Sequence, residues 1–126
     1  MSTIVVVDDD VLTQQTCKYC LEAAGYKVVL VDSGAEAVRA VLDDDVSTVL
    51  VDVFMPEMDG LETLLSIKKK SPSTSVIVMT GGGARGRLDF LDTARSFGAD
   101  DVIRKPFSAQ QLVSIVKPFG KNMWRL

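Results

Sequence analysis

Short runs of apolar, mostly β-branched residues alternate along the chain with longer segments whose apolar positions recur at helical spacing. Nearly every position of the short runs is apolar, which indicates strands that are covered on both faces of a sheet. These predicted strands are residues 3–7, 27–31, 48–51, 75–79 and 101–104. The longer segments predict helices over residues 11–24, 34–42, 60–70, 87–97 and 109–117.

Capping residues mark several of the predicted helix ends. At three helix starts an oxygen-bearing side chain stands three residues before an acid or amide that can reach back to it. These pairs are Ser33 with Glu36, Asp59 with Glu62, and Ser108 with Gln111. Gly25 and Gly98 stand where a helix commonly ends on a left-handed residue.

Five strands that alternate with five helices predict an α/β fold, in which a parallel sheet is covered by helices on both faces. Because crossovers are right-handed, few arrangements remain. We expect a doubly wound, flavodoxin-like (βα)5 three-layer sandwich with strand order 2-1-3-4-5. The 126 residues suit one domain, which we assign to residues 1–118. Residues 119–126 form a C-terminal tail that packs on the domain, contacts a partner or begins a truncated linker.

Composition and charge exclude several classes of function. The net charge is −3, and basic residues are scattered apart from residues 68–70, which argues against direct nucleic-acid binding. No apolar run is long enough to span a membrane, and no charged-then-apolar leader opens the chain, so we expect a cytoplasmic protein. The chain has no histidine, which excludes a Ser-His or Cys-His nucleophile pair, a His-ligated metal and a phosphohistidine carrier.

Acidic residues follow two strands that are neighbours in the predicted sheet. Asp8 and Asp9 follow the first strand and Asp52 ends the third, so the three carboxylates converge about 5 Å apart. Two unit charges at that distance repel by about 3 kcal/mol at an effective dielectric near 20. Oxygen ligands without His or Cys suit a hard cation, and the cluster therefore predicts a Mg²⁺ site.

Two further polar side chains end the remaining strands of the sheet. Thr80 ends the fourth strand and can present a hydroxyl toward Asp52, and Lys105 ends the fifth, within reach of a long side chain. A carboxylate nucleophile, a divalent cation, a hydroxyl and an ammonium around one small space fit phosphoryl transfer onto the carboxylate.

These residues resemble the receiver domain of two-component response regulators, of the single-domain chemotaxis type. The resemblance rests on VVVDDD at 5–10, VDVFMPEMDG at 51–60, VIVMTG at 76–81 and GADDVIRKPF at 98–107. It implies that Asp52 is the phosphoacceptor. It also implies that Asp9 binds Mg²⁺ together with Asp52 and the backbone carbonyl of Phe54, while Asp8 assists, partly through water.

The same resemblance assigns the rest of the site. Thr80 and Gly81 would contact the phosphoryl group and take part in the switch, and Lys105 would form an ion pair with that group. The bond between Lys105 and Pro106 would be cis.

Two departures from the family pattern bear on output and lifetime. Val102 stands where the family usually has Tyr or Phe, so we expect a muted switch carried by the 81–87 loop and helix 4. Phe54 and Gly82 offer no acid or amide to orient water, so we expect slow self-hydrolysis of the acyl phosphate.

The resemblance implies a phosphorylation-dependent switch and no enzyme beyond its own phosphorylation and dephosphorylation. A histidine kinase or phosphotransfer protein would donate the phosphoryl group, and the face of helix 4, strand 5 and helix 5 would meet a downstream protein. The chain would be a monomer or a phosphorylation-dependent dimer.

Two alternatives remain for the function. One is a receiver-like adaptor that is not phosphorylated. The other is a small dinucleotide-binding fragment that uses Gly81, Gly83 and Gly86 of GGGARG, which satisfies G-x-G-x-x-G in an unusual place. Cys17 and Cys20 form C-x-x-C in mid-helix, and we expect core or surface thiols there.

Overall fold

Five parallel strands form one sheet in the order β2-β1-β3-β4-β5, as the alternation of strands and helices predicts. The computed structural model describes residues 2–43, 45–53, 60–81 and 93–119. The strands are β1 (Thr3–Val7), β2 (Lys27–Val31), β3 (Val46–Asp52), β4 (Ser75–Thr80) and β5 (Asp101–Arg104).

Helices connect the strands and cover both faces of the sheet. They are α1 (Val11–Ala23), α2 (Gly34–Ala40), α3 (Gly60–Lys70), α4 (residues 93–96) and α5 (Ala109–Val116). A 3₁₀ turn over Lys117–Phe119 follows α5. The predicted fourth helix, residues 87–97, lies partly outside the described residues. Across the residues that the structure describes, no helix combines the length and apolar character needed to cross a bilayer.

Strands β3 and β4 are longer than the apolar pattern predicts. Strand β3 begins two residues earlier, because Val46 pairs with Thr3 of β1, and a shift in register between Thr3 and Ile4 accommodates Ser47. Strand β3 also includes Asp52, and β4 includes Thr80, so both polar residues belong to the strands that they end.

Helix α2 is shorter than predicted and ends at Ala40. The N–H groups of Leu42 and Asp43 donate to carbonyls three residues earlier, at 3.2 Å each. Hydrogen bonds with this three-residue spacing form a tighter turn than an α-helix, so the α-helical geometry ends before them.

Side-chain caps begin α2 and α5. The Ser33 hydroxyl accepts from the Glu36 N–H, while the Glu36 carboxylate reaches the N–H of Asp32, one residue before the cap. Ser108 and Gln111 form a closed capping box with bonds of 2.8 and 3.0 Å. The sequence pattern therefore identifies both helix starts, although the first pair does not close on itself.

Two glycines adopt the left-handed conformation expected after helices. Gly25 has φ of 100° and Gly98 has φ of 105°, values at which a side chain would be strained. The remaining predicted capping pair, Asp59 with Glu62, includes a residue that lies outside the described part of the chain.

Alternate residues of the strands point to opposite faces and form two apolar layers. One layer, the α2–α3 layer, contains Val5, Val7, Val49, Val51, Val76 and Val78 with Ala37, Leu64, Ile67 and Ala94 from helices. The other, the α1–α5 layer, contains Ile4, Val6, Leu50, Ile77, Met79 and Ile103 with Cys17, Leu21, Leu112 and Val116. Both layers hold the strands in register, so their carboxyl ends meet at one edge of the sheet.

Candidate functional site

Three carboxylates meet at the carboxyl ends of β1 and β3. One carboxyl oxygen from each of Asp8, Asp9 and Asp52 lies within 4.8 Å of the others. The two strands are adjacent, and Val7 is paired with Val51, so the residues that follow them are side by side. Asp8 is fully buried, Asp52 is 7% exposed and Asp9 is exposed.

Lys105 joins two of these carboxylates from the end of β5. Its Nζ lies 2.8 Å from Asp8 Oδ2 and 3.3 Å from Asp52 Oδ2. Burial by itself would lower the pKa of the Lys105 ammonium. The hydrogen bond to Asp8 and the charges of Asp52 and Asp8 outweigh burial and raise the pKa above its ordinary value. The ammonium therefore remains charged, with a hydrogen bond to each carboxylate.

The charge and donor set of the cluster fit a divalent cation. Among the described residues, three carboxylates face one ammonium, an excess of two negative charges. The ligand atoms are oxygens only, which suits a small hard ion such as Mg²⁺. The backbone carbonyl of Phe54, the other expected ligand, lies outside the described residues.

Thr80 and Gly81 border the cluster at the end of β4. Asp52 is paired with Met79, so Thr80 lies one residue beyond it along the neighbouring strand. Thr80 is buried, and its hydroxyl lies 3.5 Å from the carbonyl of Gly81, a long contact. The N–H of Lys105 donates to the Thr80 carbonyl at 2.8 Å, which ties the ends of β4 and β5 together.

The peptide bond between Lys105 and Pro106 is cis. A cavity of about 430 Å³ adjoins this bond and opens beside the Lys105 side chain. Its lining consists of Leu12, Thr13, Thr16, Gly81, Lys105, Pro106 and Phe107. The cavity therefore lies between the start of α1 and the segment that follows β5, next to the acid cluster.

Asp10 caps α1 and holds the turn that carries Asp8 and Asp9. The N–H of Asp10 donates to Asp8 Oδ1 at 2.9 Å, and the Asp10 carboxylate accepts from the hydroxyl and N–H of Thr13. The bond from the Thr13 hydroxyl outweighs slight desolvation and lowers the pKa of Asp10. Asp10 is therefore the helix cap, while the two preceding acids face the site.

Gln14 also shapes the site, although the sequence pattern did not single it out. It lies on the buried face of α1 with Cys17 and Leu21, and its side-chain amide donates to the carbonyl of Asp8. The sequence does contain a signal for this role. Gln14 is a long polar residue that stands at helical spacing from the apolar core positions Cys17 and Leu21.

Gly60 is a second residue that the sequence pattern did not connect with the site. A Cβ at this position would lie 2.5 Å from the Asp52 carbonyl oxygen and from Val53 Cα. The Gly60 N–H donates to the Val53 carbonyl at 3.1 Å. The first residue of α3 therefore packs directly against the end of β3, which carries Asp52. Only a glycine can occupy this position, because any side chain would collide with the backbone of β3.

Val102, which stands where the family usually has Tyr or Phe, is half-buried in β5. It packs against the α2–α3 layer, which includes Ala94 of α4. Gly82, Gly83 and Gly86, on which the hydrolysis and dinucleotide interpretations depend, lie outside the described residues.

The two cysteines are free thiols within the α1–α5 layer. Cys17 is fully buried and Cys20 is half-buried. Burial, with smaller effects from Asp8 and Cys20, raises the pKa of Cys17 to about 12. A thiol with this pKa stays protonated at neutral pH, which agrees with a core residue and not with a reactive thiolate.

The chain is similar to response regulators in both sequence and structure. The family model for the response regulator receiver domain matches residues 4–117. The transcriptional regulatory protein CpxR of Escherichia coli is 34% identical over 117 residues, which cover 93% of this chain and 48% of that protein. A cyclic di-GMP phosphodiesterase of Thermotoga maritima is 34% identical over 110 residues, covering 87% of this chain and 28% of that protein.

Solved structures show the same similarity. A response regulator receiver domain protein from Clostridium thermocellum matches with a TM-score of 0.85 and 32% identity, covering 94% of this chain and 93% of that one. The receiver domain of NtrX from Brucella abortus matches with a TM-score of 0.85 and 28% identity, covering 95% and 99%. The chain spans half or less of the length of the curated relatives described above, whereas it covers almost all of these two structures.

Proposed function

Because the chain belongs to the response regulator receiver domains, the phosphoacceptor domains of two-component signalling, we propose that Asp52 is its phosphoacceptor. The observation that carries the proposal is the convergence of Asp52 with Asp8, Asp9 and the Lys105 ammonium at one edge of the sheet. We assign this function to residues 1–118 and leave residues 119–126 as a tail.

Asp52 is better placed than its neighbours to act as the nucleophile. Asp8 is fully buried, and its two carboxyl oxygens already accept bonds from the Asp10 N–H and Lys105. Asp9 is exposed, and the ion pairs that Lys105 forms among the described residues are with Asp8 and Asp52. Asp52 is slightly exposed and contacts the Lys105 ammonium directly. After phosphorylation, the ammonium could transfer its contact from the carboxylate to the phosphoryl group.

The proposed reaction is an in-line phosphoryl transfer from a phosphohistidine. An oxygen of Asp52 attacks the phosphorus, the new O–P bond forms as the N–P bond breaks, and the imidazole keeps the electron pair. Asp8, Asp9 and Asp52, with the Phe54 carbonyl, would hold Mg²⁺, which neutralises charge on the transferring group. Lys105 supplies a second positive charge, and Thr80 and Gly81 offer a hydroxyl and a backbone N–H.

The proposed partners are a histidine kinase or phosphotransfer protein as donor and a downstream protein as target. The cavity beside Lys105 supports the first assignment, since it is large enough to admit an aromatic side chain next to the site. The face of α4, β5 and α5 is the proposed target surface. A cytoplasmic setting, and a monomer or phosphorylation-dependent dimer, complete this proposal.

Val102 supports a switch without an aromatic ring. Its short side chain packs against the α2–α3 layer, so it has no ring to carry between an outer and an inner position. We propose that the change instead passes through residues 81–87 and α4. Nearly identical backbone chemical shifts for that segment, with and without a phosphate mimic, would contradict this route.

The test of the phosphoacceptor is the intact mass after incubation with Mg²⁺ and a small acyl phosphate. We expect one added phosphoryl group on the wild type, none on Asp52→Asn, and none when Mg²⁺ is chelated. Asp45→Asn is the matched control, because it makes the same change at an exposed residue just before β3, at the opposite end of the sheet. Phosphorylation that persists in Asp52→Asn would refute the assignment. A wild type that binds Mg²⁺ but accepts no phosphoryl group from acyl phosphates or a kinase would favour the adaptor.

A further inference from the structure

A buried amide on α1 joins the ends of two strands at the acid cluster. Gln14 is 7% exposed, and its Nε2 donates to the carbonyl of Asp8 in a short hydrogen bond. The same nitrogen lies 2.9 Å from Asp32 Oδ1 and 3.3 Å from the carbonyl of Val31. One side chain of α1 therefore contacts the residue after β1, the last residue of β2 and the residue that follows it.

From these contacts we infer that Gln14 is a positioning residue that sets the geometry of the Mg²⁺ ligands, an inference that rests on the proposed function. Asp8 is held at both ends. Its carboxylate accepts from the Asp10 N–H and Lys105, while its carbonyl accepts from Gln14. The direction of the Asp8 carboxylate therefore depends on the anchoring of its backbone by the amide.

The backbone hydrogen bond between Asp8 and the end of β2 is long and therefore weak. The Asp8 N–H donates to the Val31 carbonyl at 3.4 Å, the longest of the turn and loop bonds around the strand end. A buried carbonyl that loses its donor carries the full cost of desolvation, so the turn would shift to find another partner. Gln14 prevents that shift by supplying the donor from a rigid helix.

The groups around the Gln14 amide nitrogen are all hydrogen-bond acceptors, so this position requires a donor. Its partners are two carbonyls and the carboxylate of Asp32, all of which are acceptors. Asp32 is itself held by its N–H, which donates to Glu36 at 2.9 Å. A carboxylate in place of the amide would face only oxygens, whereas a lysine would retain hydrogen-bond donors.

The test compares Gln14→Glu with Gln15→Glu. Gln15 is the next residue of the same helix and is exposed, so the control makes the same charge change near the same cluster. Mg²⁺ is titrated by calorimetry well below the melting temperature, and the amide signals of Asp9 and Asp10 are followed by NMR. We expect Gln14→Glu to bind Mg²⁺ at least about tenfold more weakly than the control, since outer-shell partners of metal ligands typically matter by that factor or more.

A second pair of variants keeps the test decisive if Gln14→Glu does not fold. Gln14→Met has similar length and no charge, and Gln15→Met is its control. We expect weaker Mg²⁺ binding from Gln14→Met and partial recovery from Gln14→Lys.

The outcomes separate the inference from the proposed function. A wild type that binds Mg²⁺, with Gln14 variants that match their controls in affinity and differ only in melting temperature, would overturn the positioning role and leave the function intact. A wild type whose cluster binds no Mg²⁺ would overturn the metal site, and the positioning role with it.

Discussion

Replacing Gly60 by alanine tests how tightly α3 is packed against the phosphoacceptor strand. The added Cβ would lie 2.5 Å from both the Asp52 carbonyl oxygen and Val53 Cα. Both atoms belong to the backbone, so neither can be relieved by a change of rotamer. Reaching an ordinary contact of 3.4 Å requires the end of β3 and the start of α3 to separate by about 0.9 Å.

The size of this displacement gives two expected magnitudes. Overpacking a well-packed site costs about 1–3 kcal/mol, and we expect the upper part of this range, about 2–3 kcal/mol, because both contacted atoms are backbone. The better helix propensity of alanine returns at most about 1 kcal/mol, so we expect a net loss of about 1–3 kcal/mol. Because a misplacement of about 1 Å can slow a reaction by about a hundredfold, we expect phosphorylation of Asp52 to slow by up to that factor.

The assay combines urea unfolding with the rate of phosphorylation by a small acyl phosphate, measured by intact mass. Gly81→Ala is the control for stability, since a Cβ there meets no atom of the described residues within 4 Å. We expect its unfolding midpoint to match the wild type. A Gly60→Ala variant as stable as the wild type and phosphorylated at the same rate would refute the close approach of α3 to Asp52.

Three further predictions concern residues outside the site. Asp100→Ala should lower the free energy of unfolding by about 1–3 kcal/mol, because it removes a charged acceptor from the Val76 N–H, 2.8 Å away. Lys68→Met removes an ion pair with the same carboxylate, and a loss from Asp100→Ala no larger than from Lys68→Met would contradict this expectation. Cys17 should resist alkylation at neutral pH in the folded protein, whereas Cys20 should react first. Since folding raises the pKa of Cys17 from 9.0 to about 12, its contribution to stability is complete below about pH 9 and is lost as the pH rises toward 12. Urea midpoints across that range should fall less in Cys17→Ala, and an equal fall in both proteins would argue against a buried thiol.

Local sequence pattern predicted the strands that contain a short central run of apolar residues. Strands β1, β2 and β5 have the predicted bounds. The start of β3 could not be predicted in this way. Ser47 looks like a loop residue, and it belongs to the strand because Val46 pairs with Thr3 of β1, a contact that the local run of residues does not reveal.

The sequence by itself determined the class of fold and which acids would meet. Apolar runs of strand length between helical segments allow few topologies, and parallel strands place their carboxyl ends at one edge, so Asp8, Asp9 and Asp52 had to lie near one another. Only the tertiary structure decided how these residues are held. Lys105 contacts Asp8 more closely than Asp52, across 97 positions of the chain, and Gln14 and Gly60 act through the backbone of residues on other elements. Such contacts depend on the register of strands and the depth to which helices pack, and those are set by the whole core and not by any local run of residues.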